Sequence, residues 1–289
     1  MRPAAGAVPV RMIVNADDFG YFDGVSQGII EAAELGRVTA TGVMANGPAL
    51  DRWSARLATI RNLSVGVHLN ATLGTPLTIA MTQHPVCVGR RFPGKATLVG
   101  ALLRGTLPVD ILLDEWQAQI ERCLQHGLQL EFVNSHEHVH ALPPVYRRLR
   151  ELAAEYRISH VRVPRPEWRP RLAPGVVARN LAFAAVGASS AAAGGEAEPV
   201  LIGMNPSGRL DAAYCAWRFP RLEAGAKYEL MCHPGRKDAT AQADPRLRSY
   251  HDWEGELAFL LSERFVELLR ANRIELISFD NQATAPCAR

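Results

Sequence analysis

Short apolar runs recur along this chain, and several of them close on a side chain able to do chemistry. Met12-Ile13-Val14-Asn15-Ala16 leads into Asp17-Asp18-Phe19-Gly20, and Ser64 to Leu69 carries His68 and stops at Asn70. Phe132-Val133 continues as Asn134-Ser135-His136-Glu137-His138-Val139-His140, and Tyr228 to Cys232 ends in His233-Pro234-Gly235. Runs of this length and composition read as buried strands. Between them stand stretches of helical periodicity: Val25 to Leu35 stopped by Gly36, Ala49 to Ile60, Val109 to His126 stopped by Gly127, and Pro144 to Tyr156. Strictly alternating strand and helix predicts a parallel sheet with helices packed outside, either doubly wound or closed as a barrel. In both, catalytic groups gather at the C-terminal ends of the strands. At 289 residues one α/β domain is expected, with its core over about residues 11–280.

Further strands are expected at Val38 to Ala45, His160 to Val163, Val200 to Met204 and Ile274 to Ser278, with helices at Leu210 to Trp217 and, as one long element, Trp253 to Asn272. Two segments break the rhythm. Thr72 to Pro108, punctuated by Gly74, Pro76, Pro85, Gly89, Pro93 and Gly94, reads as an irregular insertion lying over the site. Arg165 to Pro199 reads as a second insertion, a helix followed by a low-complexity excursion over 182–195. Arg236 to His251 is expected as a polar loop, and Arg162 and Arg165 near the rim of the catalytic face.

Three of the nine histidines sit at alternating positions in His136, His138 and His140. If the chain stays extended, all three face one side; if it turns helical, His136 and His140 share a face. Either geometry presents two nitrogens to one metal, and the absence of a CxxC pair turns the reading from a structural zinc knuckle to an open, catalytic site. The competing reading is a polar turn whose histidines cap the next helix. Asp17 and Asp18 could divide the work of binding a metal and holding a water, or form an Asx turn leading into a helix.

Composition excludes other classes. With 32 basic and 29 acidic residues and no long basic run, nucleic acid is not an expected partner. No run of 18 apolar residues exists and Met1 to Val10 lacks a signal-like segment, so a soluble, cytoplasmic protein is expected. Cys87, Cys123, Cys215, Cys232 and Cys287 are odd in number and scattered, the pattern of reduced thiols. No Gly-rich phosphate loop, serine nucleophile elbow or dinucleotide fingerprint stands at a strand–helix junction.

Five stretches together give the chain a family resemblance: Ile13 to Gly20, Val38-Thr39-Ala40-Thr41 with Asn46-Gly47-Pro48, Gly66 to Asn70, Asn134 to His140, and Met231 to Pro234. It resembles the YdjC-like carbohydrate deacetylases, which include chitooligosaccharide deacetylases and a hopanoid-biosynthesis-associated branch. The resemblance implies a distorted, TIM-like (β/α) barrel and a single divalent metal ion (Zn, Mg, Ni or Co). The implied reaction removes an N-acetyl group from an amino sugar, oligosaccharide or glycolipid. Carried over by position, it makes Asp18, His68 and His136 the metal ligands, Asp17 the general base and His233 the general acid. His138, His140, Asn15, Asn70 and Arg162 are then expected to contact substrate. Departures from the family concentrate in Thr72 to Pro108 and Arg165 to Gly195, so substrate choice does not carry over. A metal-dependent phosphoesterase and a non-catalytic sugar-binding module are the competing readings. Besides the N-acetylated sugar, a second copy of the chain in a homodimer is the other partner considered.

Overall fold

The structure is a computed structural model. It describes residues 8–168, 199–238 and 250–280, with Leu247 and a few isolated positions between 176 and 187. Most of the low-complexity excursion, most of the Arg236 to His251 loop and Cys287 therefore lie outside the described residues.

Strand β1 (Val10–Phe19) is the spine, buried along its length except at Arg11. It pairs with β2 (Ala40–Val43), β7 (Lys227–Cys232) and β8 (Ile274–Leu276), always in parallel. Beyond β2 follow β3 (Ser64–Leu69), β4 (Phe132–Ser135) and β5 (His160–Val161); beyond β7 lies β6 (Val200–Ile202). All pairs are parallel, so strands covered on both faces read as continuous apolar runs rather than as alternating ones. The result is an eight-stranded curled sheet, a half-barrel whose end strands β5 and β6 are not paired to each other among the described residues.

Around the sheet stand α1 (Asp23–Glu34), α2 (Leu50–Leu57), α3 (Ile79–Gln83), α4 (Lys95–Leu103), α5 (Val109–Gln125), α6 (Pro143–Glu155), α7 (Ala212–Arg218), α8 (Trp253–Leu261) and α9 (Glu263–Ala271). Two sequence expectations change. The long C-terminal helix is two, because Ser262 takes extended backbone (φ −73°, ψ 152°) and its side chain accepts the Phe265 N–H, capping α9. The insertion is not irregular either. It carries α3 and α4, and Met81, Phe92 and Leu98 tie it into the core. Its anchor is polar: Glu115 and Gln119, four apart on the buried face of α5, are fully buried. The Glu115 carboxylate accepts from Leu77 N–H, Thr78 N–H and the Thr78 hydroxyl, while Gln119 bonds both N–H and C=O of Asn70.

Two glycines let the central strands approach. A Cβ on Gly66 would lie 2.5 Å from the Phe132 carbonyl oxygen, and one on Gly42 would press on His68 Cβ at 3.1 Å and Asp17 Oδ1 at 3.3 Å. Cys87, Cys123, Cys215 and Cys232 are buried and unpaired, and burial pushes the Cys123 thiol up to about 12, so these are packing residues rather than nucleophiles.

Candidate active site

Neighbouring side chains on a regular strand point to opposite faces, so Asp17 and Asp18 could not share a site if β1 stayed regular. It does not. The β1–β2 register shifts between Ala16 and Phe19, and Asp18 takes φ 74°, a left-handed conformation unusual for a non-glycine residue. That bulge turns both carboxylates toward the ends of β3 and β4.

Asp18 Oδ1 lies 3.2 Å from His68 Nε2 and 3.0 Å from His136 Nδ1, and the two nitrogens are 3.4 Å apart. Asp18 Oδ2 has no partner. The His68 tautomer is set from behind: its Nδ1–H donates to Asn134 Oδ1 at 2.6 Å, leaving a lone pair on Nε2. Two imidazole nitrogens and the Asp18 carboxylate form a donor set for a divalent cation, one ligand atom from each lying within 4.8 Å of the others. Burial pushes the Asp18 carboxyl up, but His136 and His68 outweigh it and hold the carboxyl well below its ordinary value.

Asp17 belongs to a second buried network. Arg162 grips it through Nη1–Oδ2 at 2.7 Å and Nη2–Oδ1 at 3.0 Å, and Asn134 Nδ2 donates to Oδ1 at 2.9 Å. Arg162 also donates to Glu229 Oε1 from Nε at 2.9 Å and Nη2 at 2.6 Å, and Asn15 Nδ2 donates to that same oxygen at 2.6 Å. Burial alone would raise Asp17; the Arg162 guanidinium and His68 pull it below its usual value, so it is ionised at neutral pH.

His233 stands just past β7. Its backbone N–H donates to Glu256 Oε2 at 2.6 Å, its Nδ1 is buried without a partner, and Glu256 Oε1 lies 3.9 Å from that nitrogen. Burial pushes Glu256 up to about 8 and His233 below its ordinary value. The His251 ring lies 5.1 Å from that of His233 and stacks on Trp253 at 4.9 Å.

Asp17, His68, His136, His138, His233 and His251 all line one cavity of about 570 Å³, with Leu73, Lys95, Met204, Met231 and Tyr250 among its other walls. Of the residues expected to contact substrate, His138 lines this cavity, while Arg162, Asn15, Asn70 and His140 are buried and are not among its walls. Arg162 and Asn15 are spent on Asp17 and Glu229. Asn70 accepts the N–H groups of Thr72 and Leu73, two cavity walls, through Oδ1. His140 accepts the Ser135 hydroxyl at Nδ1 and donates from Nε2 to the Arg162 carbonyl; burial holds it at about 3, hence neutral. Neither geometry expected for the three histidines occurs. The strand ends at Ser135, Glu137 and His138 adopt φ 54° and 56°, and the rings diverge to the donor set, the cavity and the core.

Sequence reasoning missed Asn134, Glu229, Glu256 and His251. Glu229 left one signal, a lone charge inside the apolar run of β7, and Asn134 another, a polar residue just before the histidine cluster.

The YdjC-like protein family matches the chain over residues 11–271. The protein belongs to that family. A carbohydrate deacetylase of Geobacillus stearothermophilus is 39% identical over 166 residues, 56% of this chain and 64% of that protein. A chitooligosaccharide deacetylase of Citrobacter koseri is 34% identical over 152 residues, 50% and 56% of the two chains. In these bacterial relatives the match thus spans less than two thirds of the curated protein's length. A carbohydrate deacetylase of Xenopus laevis is 25% identical over 303 residues, covering 93% of this chain and 97% of that one. A crystal structure from Enterococcus faecalis V583, of a protein provisionally named for cellobiose-phosphate cleavage, has the same fold at TM-score 0.72 and 22% identity, covering 96% and 100%. Within the YdjC-like family, then, this chain has relatives named for deacetylating sugars, and its own polar groups converge on one cavity.

Proposed function

We propose that this YdjC-like protein is a metal-dependent hydrolase that removes an N-acetyl group from an amino sugar, oligosaccharide or glycolipid, on a distorted TIM-like barrel, in the cytoplasm. The observation that carries the reading is the convergence of Asp18, His68 and His136 beside Asp17, at a cavity that His233 also lines.

Amide hydrolysis needs an activated water, a stabilised oxyanion and a protonated leaving amine. The Asp18 carboxylate, His68 Nε2 and His136 Nδ1 would hold one divalent ion (Zn, Mg, Ni or Co), and such an ion would acidify water and polarise the acyl carbonyl. Asp17, ionised and clamped by Arg162 and Asn134, is the fixed acceptor for the proton the attacking water releases. His233 donates to the departing nitrogen. Burial weakens its hold on that proton, which makes the imidazolium the stronger acid, while Asp17 and Asp18 favour the charged ring. His138, Tyr250 and His251 are further ring systems on the wall that a sugar can contact.

The test is a panel of N-acetylated sugars and glycolipids assayed for free acetate and free amine, run beside metal analysis of the purified protein. About one divalent ion per chain is expected, lost on Asp18→Ala, His68→Ala or His136→Ala, because an open site has few ligands to spare. Metal content and turnover unchanged in all three variants would overturn the assignment.

A further inference from the structure

The insertion between Thr72 and Pro108 contains Arg90, Arg91, Lys95 and Arg104 and no Asp or Glu, so it carries +4 in a chain whose net charge is +3. It also holds three of the most exposed large apolar side chains: Val88 at 84%, Ile79 at 74% and Leu103 at 69%. Two of these sit beside the cations in sequence, Val88 before Arg90-Arg91 and Leu103 before Arg104. The Val88 turn is not a frayed loop. Cys87 and Phe92 on either side are buried in the core, Phe92 N–H donates to the Gly74 carbonyl, and Gly89 and Arg90 both take φ 62° to reverse the chain. Four residues are thereby held out on a fixed stalk, and neither Arg90 nor Arg91 makes an ion pair among the described residues. Cavity walls flank this segment in sequence: Leu73, next to Gly74, and Gly94-Lys95, just past Phe92.

Exposed aliphatic groups held in place beside exposed arginines suit a surface with an apolar interior and anionic headgroups. They do not suit a second copy in a two-fold dimer, which would set cation against cation. Nor do they suit nucleic acid, whose phosphates offer nothing to Val88 or Leu103. We infer that the Thr72–Pro108 insertion docks the protein on an anionic lipid surface, with the cavity mouth toward the headgroups, so that the substrate is an N-acetylated sugar carried on a lipid. The substrate clause rests on the deacetylase reading; the docking does not.

The test is co-sedimentation of the full chain with vesicles of phosphatidylglycerol in phosphatidylcholine, against pure phosphatidylcholine vesicles, at low and high salt. Binding is expected to the anionic vesicles only and to fade with salt. Arg90→Ser with Arg91→Ser should lower partitioning about thirty-fold, roughly five-fold for each surface cation. Val88→Ser with Leu103→Ser should weaken binding and leave a salt-sensitive remainder. All four positions are exposed, so unchanged thermal midpoints will certify the variants as folded. No sedimentation with anionic vesicles, equal binding to neutral ones, or wild-type binding by the arginine variant would overturn the docking. So would a dimer that dissolves in the Val88→Ser, Leu103→Ser variant, which would assign the face to a second copy. Binding is read without turnover, so its failure leaves the deacetylase reading standing, and inactivity on every sugar leaves the docking standing.

Discussion

Replacing Arg162 by methionine keeps the length and apolar stem of the side chain and removes a guanidinium that touches two buried carboxylates. In the wild type it satisfies Asp17 through two hydrogen bonds and Glu229 through two more, all between 2.6 and 3.0 Å. Without it Asp17 keeps Asn134 and the neighbouring His68 ring, Glu229 keeps Asn15, and two buried negative charges lose the guanidinium that opposes both. Breaking a buried pair from one side costs about 3–5 kcal/mol, and this one strands two carboxylates, so the upper end of that range is expected. At roughly 2.1 cal/mol/K of unfolding entropy per residue, a chain of this length should melt about 8 °C lower.

The pH dependence separates this mechanism from lost packing. Asp17 in the wild type is depressed from 3.8, so its contribution to stability is present above that value and is lost as pH falls through the depressed one. In Arg162→Met the Asp17 carboxyl should titrate higher than in the wild type, because burial then acts without the guanidinium that offsets it. The variant's deficit should therefore be greatest at neutral pH and shrink on acidification, as protonation relieves the buried charge. Urea titration of both proteins across pH 5 to 8, about the window of greatest stability, reads the effect directly. Adding Glu229→Gln should recover part of the loss. A deficit below about 1 kcal/mol, or one that does not change with pH, would refute the argument.

Three further outcomes follow from the same geometry. Asp17→Asn should cut turnover by about 10²–10⁴ while metal content holds; loss of the metal instead would reverse the roles of Asp17 and Asp18. Glu256, raised from 4.5 to about 8, contributes stability that is present below the lower value and lost as pH rises through the upper one. Glu256→Gln should therefore flatten the decline in melting temperature between those values, and an unchanged slope would disprove it. Gly66→Ala places a Cβ 2.5 Å from a backbone oxygen of β4 and should cost at least the ~1–3 kcal/mol of an overpacked core; an unchanged urea midpoint would show that the strands can part.

What the chain itself made legible was local. The apolar runs and helical periods place a residue at a strand end without reference to any distant partner, and for that reason Asp17, Asp18, His68, His136 and His233 could be named together as one set of strand-end groups. The parallel α/β class follows from the same alternation. What tertiary structure decided was the partnership of groups far apart in sequence. Arg162 was legible as a rim cation, yet its duty depends on Glu229, 67 residues away, and on Asp17, 145 away. Asn134 was one polar residue among many until β4 set it between His68 and Asp17. Backbone conformation was equally hidden: Asp18, Glu137 and His138 adopt left-handed φ without being glycine, a cost that no local propensity favours. Those three dihedrals turn Asp18 toward the donor set and send His140 into the core, because only the packing around β1 and β4 holds the chain in them.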